Sequence, residues 1–143
     1  MNWNRLSDSV ADTEAIAAEL AAQLKGGECI ALEGALGAGK TQFVRGLVRA
    51  LGGDVRSVSS PTFVLLHVYN TASFQVFHLD AYRLGGADDL AAIGFDELLE
   101  QRGVVVIEWA SKVENALPIN CIHVGIETIG AEQRRLTLTL PCG

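Results

Sequence analysis

Apolar residues recur at helical spacing in two early segments of the chain. Ile16, Leu20 and Leu24 form one stripe, which predicts an amphipathic helix opened by the capping residues 12–14. A second helix is predicted after the glycine-rich loop 34–41 and ends at the glycine pair 52–53. Its apolar side consists of Phe43, Val44, Leu47, Val48 and Leu51.

Shorter apolar runs predict the strands of a sheet. Residues 29–32 and 104–107 are uninterrupted apolar runs, which is typical of parallel strands covered on both faces. Residues 63–69 and 74–79 are rich in β-branched and aromatic residues, and the polar spacer between them predicts an antiparallel hairpin. The other predicted elements are strands over 122–126 and 136–140 and a helix over 88–101 that Gly94 can interrupt.

The turn between the first buried strand and the second helix carries a phosphate-binding pattern. Residues 34–41 read GALGAGKT, which fits G-x-x-x-x-G-K-[ST]. Its glycines remove the side chains that would block backbone N–H groups from a polyphosphate, and the helix that follows directs its positive end there. Lys40 can place a charge at the β and γ phosphates, and the Thr41 hydroxyl can bind Mg²⁺. The predicted nucleotide-binding residues are Gly34, Gly37, Ala38, Gly39, Lys40, Thr41, Gln42 and Trp109.

The order of strands, loop and helices predicts the fold class. We expect an α/β domain like that of the P-loop NTPases, with three layers, a mixed β-sheet and an antiparallel hairpin. The length of 143 residues leaves no room for two independent cores, so residues 1–143 are predicted to form a single P-loop ATPase domain.

Two carboxylates follow apolar strands and are candidates for metal binding and catalysis. Glu108 ends the run 104–107, and a central parallel strand would bring it beside the phosphate loop, where it can bind the metal together with Thr41. Asp80 ends the second strand of the hairpin. It either orients water or the outer shell of the metal, or caps the turn near Tyr82. The predicted catalytic residues are Lys40, Asp80 and Glu108.

The segment Ser60-Pro61-Thr62 lies between the loop helix and the hairpin. A stiff polar segment at this place can sense a γ-phosphate as a switch, or it can be a simple turn before the strand. Trp109 could stack on a ligand or partner, or pack in a half-buried position. The dispersed His67, His78 and His123 are interpreted as structural.

Composition limits the partners of the chain. Eleven basic and seventeen acidic residues give a formal net charge of −6, which is unfavourable for a direct nucleic-acid grip. The three cysteines are odd in number and widely spaced, which indicates neither a disulfide framework nor a zinc site. No segment has the pattern of a membrane span or a signal peptide, so a cytoplasmic location is expected.

Four motifs in sequence order resemble the TsaE (YjeE) family. Besides the phosphate loop, they are Ser60-Pro61-Thr62-Phe63, His78-Leu79-Asp80-Ala81-Tyr82-Arg83 and Ile107-Glu108-Trp109. The loop alone is shared by many NTPases, whereas the combination is specific to this family of small bacterial ATPases of the tRNA threonylcarbamoyladenosine pathway.

The resemblance implies a function and partners. It implies that the protein binds ATP and Mg²⁺ and works with TsaB and TsaD, which transfer threonylcarbamoyl to adenosine 37 of tRNA, so that tRNA is met only through the complex. It also implies that hydrolysis resets or licenses that complex. Lys40 would hold phosphates, Thr41 and Glu108 the metal, Asp80 would serve hydrolysis, and Trp109 would lie near the nucleotide.

Two other functions remain compatible with the residues. A small-metabolite kinase could use the same loop, but it would need an acceptor pocket and usually an arginine-bearing lid. A nucleotide-sensing switch without physiological turnover is the other alternative, and equal partner affinity with and without nucleotide would exclude it.

Overall fold

The computed structural model describes residues 2–35, 37–54, 56, 66–84 and 86–140. Seven strands and four α-helices lie in these ranges. The strands are β1 (Asn2–Ser7), β2 (Cys29–Gly34), β3 (Leu66–Asn70), β4 (Gln75–Asp80), β5 (Val104–Glu108), β6 (Ile122–Thr128) and β7 (Arg134–Thr139). The helices are α1 (Val10–Ala21), α2 (Lys40–Ala50), α3 (Ala87–Ala92) and α4 (Phe95–Glu100), and two 3₁₀ helices cover Ala81–Arg83 and Ala110–Ala116.

The strands form one mixed sheet in the order β1-β7-β6-β2-β5-β4-β3. The inner strands β6, β2, β5 and β4 are parallel, while β3, β7 and β1 pair antiparallel with their neighbours. The predicted hairpin is confirmed as β3 and β4, with Asn70 opposite Gln75 beside the turn. Parallel inner strands end at the same edge of a sheet, and this edge carries the phosphate loop and Glu108.

Helices cover the two faces of the sheet and give the three predicted layers. Helices α1 and α2 close the larger core, in which Leu20, Phe43 and Leu47 are fully buried against the sheet. On the other face, Leu90 and Phe95 from α3 and α4 pack on β4 and β5. Strand β5 is buried along its whole length between these layers, as its apolar run predicts.

One helix start differs from the sequence pattern, and one predicted interruption agrees with it. Helix α1 begins at Val10 rather than at Asp12, because the Ser9 side chain accepts a hydrogen bond from the Asp12 N–H and caps the first turn. The predicted interruption at Gly94 is confirmed. This residue has a φ of 81°, which ends α3 and starts α4 in a direction that other residues rarely allow.

Strand β1 was not predicted from the sequence. Its residues are mostly polar and exposed, because it is an edge strand whose partner among the described strands is β7. Two cysteines, Cys29 and Cys121, are free and buried, and Cys142 lies outside the described residues. Across the described part of the chain, we find no helix with both the length and the apolar character needed to cross a membrane.

Candidate functional site

The phosphate-loop pattern lies where the sequence predicts it, between the end of β2 and the start of α2. Gly37 and Gly39 have φ values of 82° and 106°, so the chain makes the left-handed turns that side chains disfavour. A side chain added at Gly37 would meet nothing within 4 Å, so the space beside it is open. At Gly34, by contrast, an added Cβ would lie 2.9 Å from the Ile126 carbonyl oxygen. Close packing against β6 therefore requires a glycine at position 34.

Lys40, Glu108 and His78 form a buried polar cluster next to this loop. The Lys40 ammonium lies 3.5 Å from one carboxylate oxygen of Glu108, and the His78 Nε2 lies 2.6 Å from the other. All three side chains are buried, and His78 is completely inaccessible. The strand order explains why these side chains are close together. Glu108 ends β5, which pairs with β2 on one side and with β4 on the other, where Asp80 is its register partner.

The surroundings of Glu108 keep it ionised. Burial alone would raise the pKa of this carboxyl, but the hydrogen bond and charge of His78, together with Lys40, hold the pKa below its ordinary value. An ionised carboxylate is the form that binds a divalent cation.

Asp80 is buried at the end of β4, beside Glu108 in the sheet. One of its carboxylate oxygens accepts a hydrogen bond of 3.0 Å from the Tyr82 N–H and caps the 3₁₀ helix Ala81–Arg83. Asp80 thus caps the turn near Tyr82, which is one of the two roles that the sequence predicts for it. The same carboxylate lies at the end of β4, next to the end of β5 that carries Glu108, so the capping contact and a position beside Glu108 occur together.

Trp109 lies over the ammonium of Lys40. The Lys40 nitrogen is 4.4 Å from the centre of the indole ring, and Tyr82 packs against the same indole with ring centres 5.5 Å apart. Trp109 also has a φ of 57°, which is rare for a large side chain and marks a backbone held by its surroundings. Trp109 is therefore placed beside the lysine of the loop, in a half-buried position.

A cavity of about 250 Å³ opens beside the loop, between the start of α1 and the turn from β6 to β7. Gln42, on the first turn of α2, lines it together with Gly37 and Gly39. From the other elements it is lined by Ser9, Val10, Thr13, Ala131, Glu132 and Arg134. Thr41 follows Lys40 on the same turn and is half-buried. The N-terminus of α2, the open side of Gly37 and this cavity are therefore contiguous.

Arg134, at the start of β7, contacts the backbone of the loop with its side chain. Its Nε donates to the Ala38 carbonyl at 3.0 Å, and Nη2 lies 3.4 Å from the Gly37 carbonyl. In the structure its donors are directed at backbone carbonyls.

The structure brings together most of the residues that the sequence singled out. Lys40, Glu108, Asp80 and Trp109 lie at one edge of the sheet with the loop glycines. The predicted switch residues Ser60, Pro61 and Thr62 lie outside the described residues. Ala38 is buried, and its N–H donates to the Ala35 carbonyl at 3.0 Å, so its side chain belongs to the core.

Sequence reasoning missed the contact of His78 with Glu108. A usable signal existed, because His78 and Asp80 are two residues apart on one strand and so point to the same face. Pairing β4 beside β5 places that face next to Glu108. The choice of strand neighbours could not be made from one sequence.

The residues present fit a nucleotide phosphate chain with Mg²⁺. The helix α2 offers its N-terminus, Gly37 leaves an open approach, and Lys40 supplies a cation. Mg²⁺ is commonly held by one or two protein oxygens together with substrate phosphates, and Thr41 and Glu108 supply a hydroxyl and a carboxylate. The described ranges contain no cluster of three or more His, Cys, Asp or Glu side chains that could hold a metal ion.

Comparisons with known proteins agree over most of the chain. The family model described as "Threonylcarbamoyl adenosine biosynthesis protein TsaE" matches residues 7–136. The chain is 39% identical over 139 residues to a tRNA threonylcarbamoyladenosine biosynthesis protein TsaE of Bacillus subtilis, covering 97% of this chain and 85% of that one. A protein of the same name from Treponema pallidum is 36% identical over 133 residues, covering 93% and 97%.

A solved structure agrees with these sequence comparisons. The crystal structure of Bacillus subtilis YdiB matches with a TM-score of 0.80 and 30% identity, covering 99% of this chain and 87% of that one. The fold is accordingly the P-loop-like α/β fold that the sequence predicts. On the family model and these relatives together, the chain belongs to the TsaE family.

Proposed function

We propose that the protein binds ATP with Mg²⁺ and hydrolyses it as an accessory subunit of the assembly that forms N6-threonylcarbamoyladenosine at position 37 of tRNA. One observation carries the ATP-binding part of this proposal. The glycine-rich loop places Lys40 at the N-terminus of α2, 3.5 Å from the carboxylate that ends the adjacent parallel strand. Membership in the TsaE family supports the pathway.

The residues of the loop would act by binding and charge stabilisation. The first turn of α2 directs N–H groups toward the phosphates, and the Lys40 ammonium offsets the charge that develops on them. Thr41 and Glu108 would hold the metal, which would supply positive charge against the negative charge of the phosphates. Without ligand, the two carboxylate oxygens of Glu108 contact Lys40 and His78. When nucleotide binds, Lys40 would turn to the phosphates and leave its place at Glu108 to the metal, while His78 stays.

The cavity beside the loop suits the rest of the nucleotide. It continues from the phosphate loop past Gln42 and has polar side chains from α1 and from the turn between β6 and β7. Asp80, at the edge of the sheet beside Glu108, would orient the attacking water.

Hydrolysis by the isolated chain is expected to be slow. Arg134 lies next to the loop, but it directs its donors at backbone carbonyls of the loop and the β6–β7 turn. A partner would then supply the missing cation or order the site. By family resemblance these partners are TsaD and TsaB, in the cytoplasm. The charge of −6 agrees with contact to tRNA through the complex instead of through a basic groove of this chain.

The test is ATP hydrolysis with and without a TsaB–TsaD complex. Wild type, Lys40→Ala and Glu108→Ala are compared, with Lys25→Ala as an exposed-lysine control. We expect stimulated hydrolysis by wild type and the control, and none by the two site variants. Hydrolysis that is indifferent to TsaB and TsaD would refute the accessory role, and phosphate transfer to a small metabolite would indicate a kinase.

A further inference from the structure

The side chain of Arg134 links the turn between β6 and β7 to the phosphate loop. Each of its three nitrogens faces backbone carbonyl oxygens. The Nε and Nη2 contact the loop at Ala38 and Gly37, at 3.0 and 3.4 Å. The Nη1 contacts Gly130 and Gln133 in the turn, at 3.2 and 2.9 Å. The guanidinium therefore joins two segments that are almost a hundred residues apart in the sequence.

Because of peptide geometry, the contact of Arg134 with a loop carbonyl also fixes the direction of the next N–H group in the loop. The peptide unit is planar and trans, so its C=O and N–H point in opposite directions. Holding the Ala38 carbonyl toward Arg134 directs the Gly39 N–H away from Arg134. Gly39 follows with a φ of 106°, a conformation that glycine adopts easily but does not select by itself. The hydrogen bond from Arg134 to the Ala38 carbonyl adds a restraint on this conformation.

The charge of the guanidinium is not used in an ion pair among the described residues. Arg134 is half-buried and bonds to neutral carbonyl groups. Since the N–H donors of a planar guanidinium have fixed directions, this side chain is suited to holding backbone segments in place. Since Arg134 also lines the cavity beside the loop, it lies at the junction of both parts of the site.

We propose that Arg134 is a positioning residue that holds the Gly37–Gly39 part of the loop in the conformation that receives phosphate. The proposal rests on the proposed function for its nucleotide, but the anchoring of the loop can be measured without any ligand. Arg134 acts here through the backbone, and its own charge does not reach the reacting atoms in this role.

The experiment compares Arg134→Gln, Arg134→Lys and the control Arg135→Gln in the full chain. Arg135 is the next residue of β7 and is exposed, and its replacement by Gln removes the same charge as Arg134→Gln. Affinity for ATP and ADP is measured by calorimetry, kcat by steady-state hydrolysis, and hydrogen exchange is followed in the protein without nucleotide. The Ala38 N–H reports on the loop, because it donates to Ala35 within it.

We expect Arg134→Gln to weaken binding of both nucleotides about tenfold, with kcat at saturating ATP changed less than about threefold. Exchange at Ala38 should become about tenfold faster, while exchange in the core strand β5 stays unchanged. Arg134→Lys keeps the charge but has one compact donor group. Its nucleotide affinity should therefore lie closer to that of Arg134→Gln than to that of wild type, on a logarithmic scale. Arg135→Gln should match wild type.

Three results would overturn the proposal. Unchanged affinity and loop exchange in Arg134→Gln would show that the anchor is dispensable, and full rescue by lysine would show that charge alone matters. Faster exchange throughout the sheet, in both Arg134 variants, would show a general structural role. If wild type fails to bind ATP, the proposed function fails, but faster loop exchange in Arg134→Gln would still support the anchor.

Discussion

The contact between Lys40 and Glu108 predicts a measurable energetic coupling in the protein without ligand. Replacing Lys40 with Met keeps the aliphatic stem but removes the ammonium. Glu108 then remains buried with only His78 on its other oxygen. Replacing Glu108 with Gln removes the carboxylate charge while keeping the shape. In the double variant, both members of the Lys40–Glu108 pair are absent.

The expected size follows from the geometry. At 3.5 Å, two unit charges in an effective dielectric of 20 attract each other by about 5 kcal/mol. The cost of taking both charges out of water opposes most of this attraction. Removing only one partner, however, leaves the other charge buried without compensation. We expect Lys40→Met to lower the free energy of unfolding by about 3 kcal/mol. The coupling energy from the double-mutant cycle should be about 1.5 kcal/mol, because His78 still compensates part of the charge of Glu108.

The assay is urea unfolding at neutral pH of wild type, both single variants and the double variant. Lys25→Met, at an exposed position, controls for the loss of a lysine. Single-variant effects that add to within about 0.5 kcal/mol would refute the reasoning, since they would show that the two groups do not interact in the folded protein.

Three further predictions follow from other contacts. Gly46→Ala should lower the free energy of unfolding by about 2 kcal/mol in a urea titration, because its Cβ would lie 2.5 Å from the Cα of Glu14 where α1 and α2 meet; unchanged stability would contradict this packing. The lowered pKa of Glu108 stabilises the fold above the ordinary value of 4.5 and loses this effect as the pH falls through the folded pKa. The stability advantage of wild type over Glu108→Gln should therefore shrink below pH 4.5, and a growing advantage would show the opposite sign. ATP should change the tryptophan fluorescence of wild type and Trp3→Phe but not of Trp109→Phe, and a signal retained in Trp109→Phe would place the nucleotide elsewhere.

Much of the fold could be predicted from the sequence, because its inner elements have strong patterns. The apolar run that ends in Glu108 predicted a buried parallel strand, and it is β5. The loop glycines and Lys40 predicted the turn from β2 into α2, since phosphate binding requires that order of strand, loop and helix. Gly94 predicted the division between α3 and α4, because its backbone needs a positive φ.

The features that were missed depend on neighbours distant in sequence. Strand β1 has no apolar alternation of its own and forms by pairing with β7. His78 reaches Glu108 only because β4 lies beside β5, and single-sequence patterns do not specify strand order. Arg134 contacts carbonyl oxygens, which are present in every residue and leave no pattern in the sequence.

The most direct test of the central claim is the affinity of the isolated protein for ATP in the presence of Mg²⁺. We predict that titration calorimetry will show one saturable site in wild type and Lys25→Ala, and at least about a hundredfold weaker binding in Lys40→Ala, whose thermal unfolding remains cooperative. Equal binding by wild type and Lys40→Ala, or no binding by either, would contradict the assignment of the loop as the phosphate site.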